Sequence, residues 1–288
     1  MGKLPKNSGF GTTPDQNAPH DAGAIRAERI FAFEDPEDLL VQSRHYHPDS
    51  AREVQLRLLP TRPPQIPGYH INAISVPAQD VGGDHFNFFA VGGDRLGILI
   101  ADVSGKGMRA ALLATMLRST FRTQSWGNRD TADVLARTND FLSRVLPRGT
   151  FITATYGILD MKTRRFTFGR AGHEPLLLVR GQEVQVHAPG GMPLGIASRE
   201  DFRGALEILE LELLPGDRIV VFSDGLTEAM NAEREELGME RIIETLRAAH
   251  GQSEIPGDAI EILQSTTSTW AGGESAHDDL TLVSLDVL

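Results

Sequence analysis

Short apolar runs bounded by glycine or proline recur from residue 69 to the end of the chain, and helical patterns fall between them in pairs. The predicted strands are 71–76, 85–91, 95–101, 151–159, 164–170, 175–180, 205–213, 217–223 and 280–286. The predicted helices are 107–124, 131–146 with Thr131 as its cap, 238–250 and 256–269. Strands joined by short polar turns pair as hairpins, whereas a βαβ nucleotide-binding fold alternates strands with single helices. The pattern therefore predicts an α+β fold of antiparallel sheets with helices packed outside.

The first 67 residues differ in composition from the rest of the chain. Gly, Pro, Asn and Asp are frequent at the start, and residues 1–47 are predicted to form a disordered or weakly structured tail. Residues 49–59 place apolar side chains on one helical face behind a capping box of Ser50 and Glu53. The prolines that follow require an extended connector. We expect a linker helix and Pro-rich connector at 48–67, followed by one folded domain at 68–288.

Charge and cysteine content exclude several function classes. The 288-residue chain has a formal net charge of -11, which disfavours nucleic acids and anionic membrane surfaces as partners. It contains no Cys, which excludes disulfides, cysteine-ligated zinc and thiolate nucleophiles. No apolar run reaches the roughly 18 residues of a membrane span, and the N-terminus lacks a signal-peptide core. We expect a cytoplasmic protein with no membrane contact.

The segment IADVSGKG at 100–107 resembles a phosphate-binding loop, because a lysine lies between two glycines. A Walker loop also needs glycine five positions before its Gly-Lys pair and Ser or Thr directly after it. Those positions are Ile100 and Gly107 in this chain. The phosphate-loop interpretation therefore fails on both requirements.

Four aspartates stand at strand ends or beside glycines: Asp84, Asp102, Asp224 and Asp278. Any one of them alone is most simply a turn or helix-cap residue. A carboxylate that ends an apolar strand is costly to desolvate unless a cation or hydrogen-bond donors receive it. Four such positions, with no cluster of His or Cys, favour Mg²⁺ or Mn²⁺ over zinc. Asp94, in the second of two VGGD segments, is predicted to lie in a hairpin turn and not in a site.

These residues lie in a series of motifs that is more specific than any one of them. In order, the motifs are DVGGDHFNFF (80–89), IADVSGKGMRAALLATML (100–117), GTFITATYGILD (149–160), AGHEPLLL (171–178), MPLGI (192–196), LLPGDRIVVFSDGLTEAMN (213–231) and HDDLTLV (277–283). The series resembles the SpoIIE-like branch of the metal-dependent PPM (type 2C) protein serine/threonine phosphatases. The resemblance extends over about residues 48–288.

The resemblance implies two packed antiparallel sheets flanked by helix pairs, an αββα sandwich, with 68–288 as the catalytic domain. It also implies a centre of two Mn²⁺ or Mg²⁺ ions at one edge of the sandwich. Asp102 would bridge both ions, and Asp84 with the backbone carbonyl of Val103 would complete the shell of one. Asp224 and Asp278 would hold the other. Asp84, Asp102 and Asp224 are thus the predicted catalytic residues.

The sequence leaves the roles of four further residues open. Asp279 matches a position behind the ligands, where it would support them. Lys106 could steer a phosphate or only stabilise its loop. His173, in GHEPL, could orient substrate, donate a proton to the leaving oxygen or pack its loop. Asn87 stands where the family often has Asp, which puts an outer part of the metal shell in doubt.

The implied reaction is hydrolysis of phosphoserine or phosphothreonine by a water that the two metals activate. The implied substrate is a phosphorylated anti-anti-sigma (STAS) protein, which would place the chain in sigma-factor regulation. Few residues precede the linker helix, so we expect a regulator acting in trans, or control through the 49–59 helix by homodimerisation. Two alternatives are a catalytically silent binding module of the same fold and a metal-dependent hydrolase of small phosphate esters.

Overall fold

The computed structural model describes residues 55, 57, 58, 60, 62–250, 258–274 and 276–288. The predicted tail at 1–47 lies outside these residues. Within the predicted 49–59 helix, the described residues are Gln55, Arg57 and Leu58, and their backbone is helical. The extent of the linker helix, and a homodimer formed through it, stay predictions.

In the described part of the chain, ten strands form two five-stranded sheets, and every pairing is antiparallel. The first sheet contains, in spatial order, β1 (Tyr69–Val76), β10 (Leu280–Val287), β9 (Arg218–Phe222), β6 (Leu176–Arg180) and β7 (Glu183–His187). The second contains β2 (His85–Ala90), β3 (Arg95–Val103), β4 (Ile152–Asp160), β5 (Arg165–Ala171) and β8 (Ile208–Glu212).

Two helix pairs cover the outer faces of the sheets. On the second sheet lie α1 (Gly107–Ser125) and α2 (Thr131–Val145), and on the first lie α5 (Gly238–His250) and α6 (Ala259–Ala271). Two further helices are short: α3 (Arg199–Ala205) and α4 (Asp224–Thr227). None of the helices described combines the length and apolar character needed to cross a bilayer. The layers run helix, sheet, sheet, helix, which confirms the predicted fold class.

Alternation along the strands assigns each side chain to one of these layers. Ile98 and Ile100 of β3 point into the core between the two sheets, whereas Leu99 and Ala101 point outward beneath α1 and α2. The period of two follows from the pleat of the strand. Phe222 and its neighbours form a third core beneath α5 and α6. Both faces of the central strands are therefore buried, which explains their nearly continuous apolar sequence.

Some local predictions were wrong, and each has a tertiary cause. The predicted strand at 205–213 is β8 preceded by α3, a short helix that is anchored by the fully buried Phe202. β7 is a short edge strand with exposed side chains, too weakly patterned to predict. The cap of α2 is Asp130, whose carboxylate accepts a hydrogen bond from the Asp133 amide at 3.0 Å. Thr131, the predicted cap, is instead buried and donates to the carbonyl of Thr167 at 3.2 Å.

We expect Leu99→Ala to lower the free energy of unfolding by about 2–5 kcal/mol, because it leaves a cavity in a closely packed core. Leu99 is 0% exposed, between the second sheet and its helices. Leu112→Ala is the matched control: Leu112 is 64% exposed on α1, and its loss should change stability by less than about 0.5 kcal/mol. Urea denaturation followed by circular dichroism measures both. Equal losses would contradict the assignment of Leu99 to the core.

Candidate metal centre

The predicted aspartates occupy the ends of four strands that meet at one edge of the sandwich. Asp84 directly precedes β2 and Asp102 is the penultimate residue of β3, both in the second sheet. Asp224 begins α4 after β9, and Asp278 stands two residues before β10, both in the first sheet. A hydrogen bond of 2.6 Å from Ser223 Oγ to Asp84 Oδ2 joins the two groups across the sheets. The fold thus places side chains from distant parts of the sequence together.

Burial and mutual repulsion raise the pKa values of Asp84, Asp102 and Asp224. Burial, followed by the charges of Asp224, Asp278 and Asp279, raises the pKa of Asp102 to about 7. Burial, followed by the charge of Asp102, raises the pKa of Asp84 well above its ordinary value. The pKa of Asp224 is raised by burial and then by Asp278. Such a concentration of buried negative charge favours the binding of a cation.

Asp279 already uses both carboxylate oxygens within the protein. Its Oδ1 accepts a hydrogen bond from the Ala78 amide at 2.8 Å, and its Oδ2 accepts one from the Gly83 amide at 2.7 Å. The side chain is buried, with 7% exposure. Asp279 therefore closes the loop that leads from β1 to β2 and holds Asp84 at its end, in agreement with a supporting role.

Glycines allow the backbone segments of this edge to pass very close to one another. A Cβ on Gly83 would lie 2.8 Å from the carbonyl oxygen of Val103, and one on Gly225 would lie 2.0 Å from that of Asp279. A side chain at either position would displace the backbone opposite it. The close approach at Gly83 brings the Val103 carbonyl beside the loop of Asp84, where the sequence predicts a backbone ligand.

Lys106 places a positive charge on this edge. Its Nζ lies 2.8 Å from Asp278 Oδ2 and also donates a hydrogen bond to the carbonyl of His277. The hydrogen bond with Asp278 is the main cause that raises the pKa of Lys106. The ammonium group is exposed to solvent at the rim of the carboxylate cluster, so both roles that the sequence left open agree with its position.

His173 lies in the interior and not at the rim. Its Nδ1 is 2.8 Å from Thr153 Oγ1, and Arg170 donates a hydrogen bond to the His173 carbonyl at 2.6 Å. Burial, followed by the nearby Arg170 charge, lowers the pKa of His173 to about 3, so the imidazole is neutral near pH 7. This environment favours the loop-packing role over proton donation.

Two further positions singled out in the sequence, Asp94 and Asn87, have partners outside the carboxylate cluster. Asp94 occupies the hairpin between β2 and β3, where its Oδ2 pairs with Lys162 Nζ at 2.7 Å. β3 separates it from Asp102 by eight residues, or roughly 26 Å at about 3.3 Å per residue. Asn87 is buried within β2, and its Oδ1 accepts a hydrogen bond from the Phe88 amide.

Sequence reasoning missed three contributors to the site. Ser223 links Asp84 to the first sheet, and only its position beside Asp224 could have drawn attention to it. Glu174 and Glu228 extend the acidic edge, since Asp224 is the largest charge that raises the pKa of each after burial. A cavity of about 680 Å³ lies elsewhere, between α5 and α6 beside Trp270.

The donor set fits Mn²⁺ or Mg²⁺, although the side chains are not arranged as a finished ion site. Among the described residues, no three His, Cys, Asp or Glu side chains converge as a ready set of ligands. The available donors are carboxylate and carbonyl oxygens, the ligands that these hard cations prefer. The carboxylates also repel one another, and this repulsion would be relieved by a divalent ion.

Comparison with known proteins finds one matching family model and several related sequences. The family model described as Stage II sporulation protein E (SpoIIE) matches residues 92–288. Phosphoserine phosphatase RsbU of Bacillus subtilis is 32% identical over 241 residues, covering 82% of this chain and 68% of RsbU. Protein IcfG of Synechocystis sp. is 25% identical over 266 residues, covering 82% of this chain but 41% of IcfG. The chain therefore spans less than half the length of IcfG.

A solved structure supports the same architecture. The SiaA-PP2C domain of Pseudomonas aeruginosa superimposes with a TM-score of 0.70, covering 88% of this chain and 99% of that one. The two sequences are 23% identical, so this likeness concerns the fold alone.

We expect Gly225→Ala to lower the thermal midpoint and weaken Mn²⁺ binding, because its Cβ would collide with the Asp279 backbone. Gly204→Ala is the matched control: Gly204 lies in α3, and a Cβ there meets nothing within 4 Å. That change should leave Mn²⁺ binding intact and keep or slightly raise the midpoint, since Ala is the better helix former. Differential scanning fluorimetry and titration calorimetry measure the two effects. A Gly225→Ala variant that matches wild type in both would show that the close approach is not a constraint.

Proposed function

This chain belongs to the SpoIIE family of protein serine/threonine phosphatases, and on that premise we propose that it hydrolyses phosphoserine or phosphothreonine in a protein substrate. The observation that carries the proposal is that both sheets place Asp84, Asp102, Asp224 and Asp278 at one edge, where their charges interact. Phosphatases of this family depend on Mn²⁺ or Mg²⁺. The cluster supplies the oxygen donors and the negative charge that such ions require.

Each ligand has a proposed place in a centre of two ions. Asp102 would be shared by both ions, Asp84 and the Val103 carbonyl would hold one, and Asp224 and Asp278 would hold the other. When bound, the two ions lower the pKa of a shared water and neutralise charge on the phosphoryl oxygens. A silent binding module would have no need to keep all four carboxylates at this edge, where their repulsion is costly.

Residues around the carboxylate cluster orient Asp84 and place a positive charge at its rim. Ser223 and Asp279 fix Asp84, the first through a side-chain hydrogen bond and the second through the Gly83 amide. Lys106 carries a positive charge at the exposed rim, beside Asp278, where it can attract the phosphate of an approaching substrate. The buried His173 maintains the loop behind the site. The lack of Cys excludes a cysteinyl-phosphate intermediate, which agrees with direct attack by water.

The proposed substrate is a phosphorylated STAS-type anti-anti-sigma protein. The relative RsbU is named a phosphoserine phosphatase, and this supports a phosphoserine substrate. A regulator acting in trans, a homodimer formed through the 49–59 helix and a cytoplasmic location belong to the same proposal. An exposed edge of the sandwich suits a folded phosphoprotein, since the substrate loop needs access from solvent.

We expect purified protein with Mn²⁺ to release phosphate from at least one member of a panel of phosphoserine STAS proteins. Chelation with EDTA should abolish the release, and added Mn²⁺ should restore it, because the water is activated by the metal. Malachite-green detection of phosphate measures the rate. Release from p-nitrophenyl phosphate but from no phosphoprotein would favour the small-ester alternative. The absence of any chelator-sensitive release would favour the silent module.

We expect Asp102→Ala and Asp224→Ala each to reduce phosphate release by at least about 10³-fold, because each removes a metal ligand that acts in the transition state. Asp94→Ala is the matched control, since this aspartate pairs with Lys162 at the far end of β3. It should retain activity near wild type. Single-turnover assays at saturating Mn²⁺ compare the three variants. An equally inactive Asp94→Ala would contradict the assignment of Asp94 to a hairpin turn.

A further inference from the structure

Gln55 makes a two-point contact with the loop that carries Asp84. Its Nε2 donates a hydrogen bond to the Gly82 carbonyl at 2.6 Å, and its Oε1 accepts one from the Gly82 amide at 3.1 Å. One primary amide thus satisfies both backbone groups of a residue 27 positions away in sequence. The side chain is half-buried, so water competes for these groups only in part.

The opposite side of the same loop rests against Asp279. A Cβ on Gly82 would lie 2.4 Å from Asp279 Oδ2, and the Gly83 amide donates to that oxygen at 2.7 Å. Gly82 and Gly83 are therefore held between Gln55 on one side and Asp279 on the other. Asp84 is the next residue, and its carboxylate accepts a hydrogen bond from the Ser223 hydroxyl at 2.6 Å.

We propose that Gln55 is a positioning residue for the metal centre. Its amide fixes the Gly82–Gly83 backbone, and so sets where Asp84 stands relative to Asp102. Partners behind a metal ligand typically contribute about 10–100-fold in metal affinity, because they hold the ligand in its binding geometry. Gly82 has no side chain that could anchor the loop, so the position of the loop depends on its contacts with Gln55 and Asp279.

In this role, Gln55 connects the metal centre to the segment that precedes β1. Gln55 precedes the first strand and belongs to the region of the predicted linker helix. A displacement of that region would withdraw both hydrogen bonds from Gly82 together. Neither the Gln55 side-chain amide nor the Gly82 peptide group is titratable, so movement of residue 55 is what would break these two hydrogen bonds. The position of residue 55 and the affinity for the divalent ion are therefore coupled.

The test measures Mn²⁺ affinity of the full metal-free chain by titration calorimetry. Gln55→Ala and Gln55→Met should each weaken Mn²⁺ binding by about tenfold, because both lose the two hydrogen bonds and Met keeps most of the side-chain volume. Gln185→Ala is the matched control, since Gln185 bonds only locally, to Glu183 at 3.1 Å on edge strand β7. It should bind Mn²⁺ like wild type. A Gln55→Met variant with wild-type affinity would overturn the proposal.

Hydrogen exchange separates positioning from general destabilisation. In both Gln55 variants, amides in the 78–86 segment should exchange faster while those of β4 and β5 keep their protection. At saturating Mn²⁺, the phosphate-release rate of Gln55→Met should return to within about twofold of wild type, as expected for a change in metal affinity alone. Uniformly faster exchange, or an unchanged 78–86 segment, would overturn the role assigned to Gln55.

The inference rests on the proposed metal centre but not on the identity of the substrate. If wild type binds Mn²⁺ and releases no phosphate, the proposed function fails while the calorimetric test of Gln55 is still decisive. If wild type is active and the Gln55 variants bind Mn²⁺ equally well, the function stands and the positioning role fails.

Discussion

Repulsion among carboxylates at one edge of the β-sandwich is the constraint on which the rest of the site depends. Asp84 and Asp102 come from one sheet, and Asp224 and Asp278 come from the other, so the cluster exists only when the two sheets are packed. Burial and neighbouring negative charge raise the pKa of Asp102 to about 7. Holding such groups together lowers the free energy of unfolding, and this free energy is only about 5–15 kcal/mol for a folded protein. A divalent cation bound at this edge would relieve the repulsion.

The surrounding structure holds the cluster through hydrogen bonds from neighbouring residues. Ser223 connects Asp84 to the first sheet, and Asp279 closes the loop before β2 with both of its oxygens. Glycines let these segments approach to distances that a Cβ would forbid. Lys106 offsets part of the charge through Asp278. The carboxylates are thus supported by a layer of contacts that span the two sheets, and Gln55 adds to it from a position before β1.

Much of the fold could be predicted because its strands and long helices carry strong local periodicity. The helix beginning at Gly107 and the hairpin around Asp94 follow from turn chemistry and apolar spacing, and both are present. α3 was not predicted because seven residues give too little pattern, and its stability comes from burying Phe202 against other elements. The cap of α2 was misassigned for a related reason: Thr131 has a tertiary partner, Thr167, that local sequence does not reveal. Local propensity fails where a distant contact decides the conformation.

The sequence by itself determined the chemistry available to this protein. It placed carboxylates at strand ends, excluded thiolate mechanisms by the absence of Cys, and arranged its motifs in an order specific to one phosphatase family. Only the tertiary structure decided which role each polar group takes, because the deciding hydrogen bonds join residues far apart in the chain. Ser223 and Asp84 are 139 residues apart, Gly83 and Asp279 are 196 apart, and Lys106 reaches the carbonyl of a residue 171 positions away. No local pattern encodes such pairs, since they form only when both sheets are complete.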